Sequence, residues 1–316
     1  VEVLRGPQGT LFGSGALGGA LRVITNKPNV TEFQSSIDIG QSFTQSGDDS
    51  NSINAMLNIP LVNDEVALRV VAFKRNDGGY IDNTLRNEKN VNSGETEGGR
   101  VMLSYKPSDD LSLRLTATHQ ADIVDDQSAT FSDPDDGGPY QYNGSLRAAS
   151  DVSISIFNLS AEYSLGSTLL TSSTTYSERD SKYTRDYGAV TDAFFDSGLG
   201  VDDVSYLLSD DVKSFAQEIR LSSQSEGSLL WTAGAFFFEQ DIDTVDNWTA
   251  EVLDDVVLAG VYLPHVTEKA LFGELTYEIS DQLSITAGGR WFDNVFEFET
   301  PVFEGLILGG SFPTPL

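Results

Sequence analysis

The chain has 316 residues, with 19 basic and 48 acidic side chains and a formal net charge of −29. This charge disfavours nucleic-acid binding, which needs a basic surface to neutralise phosphates. The chain has no cysteine, which excludes disulfides, thiolate metal sites and cysteine catalysis. It has two histidines, which leave little room for a histidine-rich metal site. No apolar run approaches the roughly 18 residues of a transmembrane helix, whereas membrane β-strands alternate apolar and polar residues and are compatible with this composition.

Both ends of the sequence look internal to a longer protein. The chain opens on Val1 without a starting Met or a signal peptide, and it stops in a loop-like run that contains two prolines and no strand pattern. These features predict that the sequence is a fragment.

After about residue 30, eleven segments alternate apolar and polar residues and are separated by turn or loop residues. The run LSLRLTAT at 111–118 is the clearest, with leucine and alanine on one face and polar residues on the other. A period of two indicates β-strands that each have one apolar and one polar face. The predicted strands are 32–44, 50–60, 65–76, 95–106, 111–122, 152–165, 168–180, 212–223, 229–241, 266–279 and 283–298.

The connections between these strands alternate between short turns and long loops. This alternation is typical of an antiparallel outer-membrane barrel, whose turns are short on one side and whose loops are long on the other. The polar faces carry charges that are costly in a dry core and acceptable in a wet or plugged lumen: Arg69, Arg114, Glu218, Arg220, Glu274, Glu278 and Arg290. We therefore expect an all-β, antiparallel transmembrane barrel with its apolar face toward lipid.

Much of the acidic charge lies in three predicted loop regions, 122–136, 180–211 and 241–255. One interpretation is attraction of a cationic ligand or a divalent ion. The other, which we favour, is a solvated acidic surface. The region that begins at Asp122 lacks the glycine and closing glutamate of a twelve-residue calcium loop.

Residues 1–28 differ from the rest of the chain because they are rich in glycine. Gly13, Gly15 and Gly18 have the spacing of a dinucleotide fingerprint, but that fingerprint requires a helix after the third glycine. Here the β-branched run 23–25 and Pro28 follow instead. The glycines therefore indicate tight turns between a strand that ends near Arg5 and a second strand at 21–25.

This segment resembles the end of the plug domain of TonB-dependent outer-membrane receptors. The likeness lies in EVLRGPQGTLFG at 2–13 and GGALRVIT at 18–25, and two barrel pieces, FAQEIRLS at 215–222 and FGELTYEI at 272–279, are also similar to that family. The plug motif comprises Gly6, Pro7, Gly9, Gly13, Gly18 and Gly19. The resemblance implies the end of a plug at 1–29 and the first half of a barrel at 30–316, since eleven strands are half of a 22-stranded transporter barrel.

The resemblance also implies a location in the outer membrane of a Gram-negative bacterium and active import of a scarce ligand, most often a ferric siderophore. The implied partners are TonB, through an N-terminal TonB box missing from this sequence, the ligand, and outer-membrane lipid and lipopolysaccharide. No cofactor, metal, catalytic residue or enzymatic activity is expected. The alternatives are TonB-dependent uptake of vitamin B12 or a carbohydrate and, less favoured, a passive porin or an adhesin.

One residue set can be transferred from the family by position. The resemblance implies a plug–barrel lock in which the plug arginine, Arg5, pairs with two barrel glutamates, Glu218 and Glu274. Strand parity places both glutamates on the polar, lumen-facing side, where charge-assisted hydrogen bonds to a plug arginine are geometrically accessible.

Overall fold

A computed structural model of the chain describes residues 1–6, 9–13, 18–127, 139–186, 204–224, 227–250 and 255–304. Pro7 of the plug motif lies outside the described residues, as do 128–138, 187–203 and 251–254 of the acidic loop regions. Within the described residues, no helix is both long enough and apolar enough to span a membrane.

The N-terminal segment forms a small two-stranded unit. Strand β1 (Glu2–Arg5) pairs antiparallel with β2 (Gly19–Arg22), so that Arg5 lies opposite Gly19, and a single helical turn, α1 (Gly9–Phe12), lies between them. The first strand was predicted correctly, and the second begins two residues earlier than expected. Gly19 has a φ of +140°, and a Cβ atom there would lie 2.3 Å from the Leu4 carbonyl oxygen, so this pairing requires glycine.

The main sheet contains the eleven predicted strands, each paired antiparallel with the next along the chain. They are β3 (Gln34–Ser42), β4 (Ser50–Val62), β5 (Val66–Asp77), β7 (Gly94–Tyr105), β8 (Leu111–Val124), β10 (Ser150–Ser164), β11 (Thr168–Asp186), β12 (Val204–Ser223), β13 (Leu229–Ala250), β14 (Asp255–Ser280) and β15 (Leu283–Glu304). Two short strands in the loops, β6 (Asp82–Asn83) and β9 (Gln141–Tyr142), form a separate parallel pair.

The later strands extend further at the long-loop end than the sequence pattern indicates. Strand β12 begins at residue 204 rather than 212, β13 continues to 250 rather than 241, and β14 begins at 255 rather than 266. Main-chain pairing continues there without apolar alternation: Asp211 lies opposite Asp243, for example. A tilted strand needs only about 9–11 residues to cross a bilayer, so strands of 20–26 residues project beyond it.

The apolar and polar faces of the main sheet are reversed relative to those of a barrel in a water-soluble protein, whose apolar face points inward. The outer face exposes large apolar side chains, with Leu271 58%, Leu115 52% and Phe157 50% exposed. On the inner face, Asn58 is fully buried and Arg69 is 8% exposed. An apolar face toward the surroundings and a polar face toward the interior is the arrangement of an outer-membrane barrel, as the sequence predicts.

Candidate functional site: the plug-facing wall and the outer loops

The described part of the N-terminal segment lies, through α1, against the inner face of the last two strands, β14 and β15. A Cβ atom built on Gly288 of β15 would be 3.1 Å from Thr10 Cγ2 in α1 and 3.3 Å from Glu274 Cγ on β14. A Cβ atom on Gly13 would be 3.9 Å from Nη2 of Arg290. The helical turn therefore approaches the wall closely because position 288 has no side chain.

The two glutamates of the predicted plug–barrel lock both lie on the inner face. Glu218 pairs in register with Phe236, and Glu274 with Thr232, two positions that share one side of β13. Glu218 Oε1 is 2.7 Å from Nη2 of Arg220 on its own strand. Arg5 is exposed at the end of β1, and its pairing with either glutamate stays a prediction.

The described glycines of the plug motif fall into two groups. Gly6, Gly13 and Gly19 have φ values of +81°, +84° and +140°, a region that side chains rarely adopt. A Cβ atom on Gly9 or Gly18 would meet nothing within 4 Å. The first three positions are therefore explained by backbone conformation, and the functional role of the motif stays a prediction.

Next to the plug contact, two arginines and a phenylalanine form a cluster across four strands. In register order these strands place Arg220, Gly234, Phe272 and Arg290 side by side on the inner face. The Phe272 ring lies between the guanidinium groups, 5.6 Å from Arg220 and 5.7 Å from Arg290, measured from Cζ to the ring centroid. A Cβ atom on Gly234 would lie 2.4 Å from Phe272 Cζ, so the missing side chain makes room for the ring.

Each arginine of this Arg–Phe–Arg cluster has its own carboxylate within the wall. Nη2 of Arg290 lies 2.6 Å from Oε1 of Glu268, and these side chains are only 8% and 14% exposed. The Nε atoms of Arg220 and Arg290 are buried without a hydrogen-bond partner among the described residues. Ring faces stabilise the desolvated cations in part, since the Phe236 ring also lies 5.4 Å from Arg290.

Sequence analysis placed Arg220 and Arg290 on the polar face but missed the cluster. The cluster depends on Phe272, an apolar residue at a position of β14 where the alternation places polar residues, so the sequence pattern gives no reason to connect it with the arginines. The glycine opposite it at position 234 was the available indication, because glycine within a strand often marks a close approach.

The residues that lead from the plug into the first barrel strand are held by one buried amide. Asn58 Nδ2 donates to the carbonyl oxygens of Asn29 (2.9 Å) and Glu32 (2.8 Å), and its Oδ1 accepts from Asn29 N at 2.9 Å. Lys27 Nζ also lies 3.6 Å from Glu162 Oε1 on β10. The connector, defined as residues 23–33, is thus fixed at the short-turn end of the wall.

At the opposite end, the long loops are joined by a buried ion pair. Arg86 pairs with Asp126, which is 1% exposed, and with Glu88, whose Oε2 lies 3.1 Å from Arg86 Nε. Arg86 Nη1 also donates to the carbonyl oxygens of Gly144 (2.9 Å) and Leu146 (2.7 Å). These bonds tie the loop after β5 to the loop after β8.

Tyr142 packs into the same joint between the loops. Its ring lies 5.7 Å from Arg86 Cζ, and its hydroxyl donates to the Leu146 carbonyl oxygen at 3.0 Å. Burial raises the pKa of the Tyr142 phenol to about 12, with the Asp126 carboxylate adding to the shift. This joint of Arg86, Glu88, Asp126, Tyr142 and Leu146, which we name the loop joint, was not predicted from the sequence.

A cavity of about 720 Å³ opens beside the loop joint. It lies between the β3–β4 loop and the two loops that the joint connects, and its lining includes Gln45, Tyr80, Asp82, Tyr140 and Gln141. The Tyr80 and Tyr140 rings meet edge to face, with centroids 6.0 Å apart. Among the described residues, no group of three or more His, Cys, Asp or Glu side chains is placed to hold a metal ion.

The chain has the fold of a TonB-dependent receptor, in which the end of a plug lies against the inner wall of an antiparallel barrel. The ferric yersiniabactin uptake receptor FyuA from Yersinia pestis superposes on 98% of this chain with a TM-score of 0.82 and 17% identity, over 46% of the receptor. The copper transporter OprC superposes on 99% of the chain with a TM-score of 0.68 and 13% identity, over 44% of OprC.

A curated relative supports the same assignment from sequence. The probable TonB-dependent siderophore receptor PirA of Acinetobacter baumannii is 29% identical over 154 residues, which cover 47% of this chain and 19% of PirA. No family model matches the chain. The chain therefore spans about half the length of the solved relatives and a smaller part of PirA, and the predicted resemblance to TonB-dependent receptors is confirmed.

Proposed function

We propose that this chain is part of an outer-membrane transporter of a Gram-negative bacterium that imports a ferric siderophore with energy supplied through TonB. The observation that carries the proposal is the plug segment seated on the inner face of a barrel wall, with Thr10 against Gly288. A passive porin or an adhesin has no need of such a segment. The relatives are receptors and transporters, in agreement with the expectation that the chain is not an enzyme.

The siderophore assignment rests on sequence more than on fold. The sequence relative is named as a siderophore receptor, whereas solved structures with this fold include both a ferric yersiniabactin receptor and a copper transporter. Fold alone does not select the cargo. Uptake of vitamin B12 or a carbohydrate is therefore the alternative. The further proposed partners are lipopolysaccharide and TonB, the latter bound through a TonB box.

Within this transporter, we infer that Arg5 forms the plug–barrel lock with Glu218 and Glu274. Both glutamates lie on the inner face, and Glu274 is next to the plug contact at Gly288. A guanidinium placed between two carboxylates makes charge-assisted hydrogen bonds that hold orientation as well as distance. Pulling on the plug would break these bonds and separate α1 from the wall.

Uptake measurements test the proposal directly. A strain deleted for this protein is compared with the complemented strain for import of radioactive iron bound to siderophores, with and without a protonophore. We expect import that requires the protein and stops when the proton gradient collapses. Import that continues at the same rate without the gradient would indicate a passive pore and contradict the proposal.

The lock is tested with purified variants of the protein. Glu218→Gln combined with Glu274→Gln keeps the size of both side chains and removes their charge. We expect faster hydrogen exchange in residues 1–6 and 9–13 of this double variant. The control is Glu278→Gln, which changes an inner-face glutamate on β14, the strand of Glu274. Equal exchange in both variants would refute the lock.

A further inference from the structure

The backbone that frames the outer loop cavity is held by hydrogen bonds that do not involve the side chains facing the cavity. Tyr80 N and Ile81 N donate to Asn92 Oδ1 at 2.7 and 2.8 Å. Asp82 N donates to the Tyr140 carbonyl oxygen at 3.0 Å. The Asn92 side chain and the main-chain bond from Asp82 thus hold the backbone at both tyrosines, and these residues remain 40% and 63% exposed. A preorganised cavity binds without the cost of ordering its loops.

The surfaces of the cavity are aromatic and polar. Two tyrosine rings set nearly perpendicular form a corner, and the amides of Gln45 and Gln141 with the hydroxyl of Thr44 provide donors and acceptors beside it. A volume of 720 Å³ lies within the range of about 300–1,000 Å³ that is usual for small-molecule sites.

The charge that the structure describes in the lining of the cavity is negative. Asp82 is the one charged residue among its described lining residues. Asp48 lies close by, with its main-chain N donating to the Gly79 carbonyl oxygen at 2.8 Å. Two arginines of the neighbouring strand and loop are paired with carboxylates, since Arg75 Nε lies 2.8 Å from Asp77 Oδ2 and Arg86 belongs to the loop joint. An anionic ligand would meet the Asp82 carboxylate here, and no lysine or arginine is among the described lining residues.

This combination separates two kinds of ferric chelate. Three hydroxamates carry one negative charge each and give a neutral complex with Fe³⁺, whereas three catecholates carry two each and give a trianion. We propose that the cavity is a binding site for a neutral ferric chelate of the tris-hydroxamate kind, with its organic shell against Tyr80 and Tyr140 and its amides on Gln45 and Gln141. This inference rests on the proposed function and adds the charge class of the cargo.

Binding is measured with the purified protein in detergent micelles by quenching of intrinsic fluorescence. The probes are the Fe³⁺ complexes of a tripodal tris-hydroxamate and of a tripodal tris-catecholate. We expect the neutral complex to bind at least about tenfold more tightly, and this preference to shrink as salt screens the carboxylates. Tighter binding of the trianion at low salt would overturn the inference.

Variants place the binding in the cavity. Tyr140→Ala is expected to weaken the neutral complex about tenfold, and Tyr140→Phe to retain most of the affinity because the ring remains. Tyr163→Ala is the matched control, since Tyr163 is 42% exposed at the short-turn end of β10. Equal affinities for Tyr140→Ala and Tyr163→Ala would show that the chelate binds elsewhere.

A substitution that adds charge gives the complementary test. Gln45→Arg introduces a guanidinium into the cavity and should improve binding of the trianion while leaving the neutral complex within about threefold. No gain for the trianion would contradict the assigned location. Protein-dependent uptake of the tris-catecholate alone would refute this inference but keep the proposed function. If the deletion strain imports iron as well as the complemented strain does, the proposed function itself is refuted.

Discussion

Replacing Asn58 by alanine tests how the plug connector is fixed to the barrel. Asn58 is fully buried, and its amide makes three hydrogen bonds, two to Asn29 and one to Glu32. A net contribution of about 0.5–1.5 kcal/mol per bond gives about 1.5–4.5 kcal/mol for the three bonds, and the orphaned main-chain groups favour the upper half of this range. Such a loss is a large share of the roughly 5–15 kcal/mol by which a domain is usually stable.

Two measurements separate a local from a global effect of Asn58→Ala. Urea unfolding in micelles reports total stability, and hydrogen exchange of residues 23–33 reports release of the connector. Asn54→Ala is the control, because Asn54 lies on the same face of β4 and is exposed. The reasoning fails if the two variants agree within about 0.5 kcal/mol and the connector exchanges equally in both.

Three further changes probe the wall and the loop joint. Glu268→Ala leaves the Arg290 charge buried and unpaired, and urea unfolding should show a loss of about 3–5 kcal/mol. Gly234→Ala pushes a methyl group into the Phe272 ring and should cost about 1–3 kcal/mol in the same assay. The phenol of Tyr142 is neutral in the folded and the unfolded loop below pH 10, whereas between pH 10 and about 12 it ionises only in the unfolded loop because its pKa is raised in the folded one. The stability of the loop should therefore fall as pH rises through that window, which ultraviolet titration of the tyrosine follows.

Each of these changes has a control. The double substitution Glu268→Leu with Arg290→Met should recover most of the lost stability, because replacing both partners of a buried ion pair by apolar residues often leaves the free energy of unfolding unchanged. Gly289→Ala is the match for Gly234→Ala, since its Cβ would meet nothing within 4 Å. Tyr142→Phe should remove the alkaline transition of the loops; its persistence would assign the transition to another group.

The strands were predictable because one repeated physical rule produces them. A wall between lipid and a polar interior forces alternation at every second residue, so the existence of each strand and the face of each side chain follow from the alternation, as the shared face of Glu218 and Glu274 illustrates. The strand ends beyond the membrane were not predictable, because no lipid imposes alternation there. The single turn α1 is too short to show a helical period.

The cluster and the loop joint depend on contacts that no local pattern encodes. Arg220 and Phe272 are far apart in sequence and meet only because Gly234 lies between them in the register. Asp126 and Arg86 meet across two loops whose sequences contain many other carboxylates. When candidates are this numerous, the pairing is fixed by loop geometry, which the sequence alone leaves open.

The placement of charge on the wall bears on how a plug could move. The buried guanidinium of Arg290 is paired with Glu268 of the wall, and Arg220 is paired with Glu218, rather than with the described plug residues at α1. A plug that shifted would therefore leave the Arg290–Glu268 pair intact and would not have to expose a buried, uncompensated charge, a step that costs several kcal/mol. The contact that the structure describes between α1 and the wall is a threonine methyl against a glycine, which sliding can break cheaply. Under the proposed lock, the bonds of Arg5 to the glutamates resist movement of the plug, whereas the Asn58 anchor keeps the connector with the barrel.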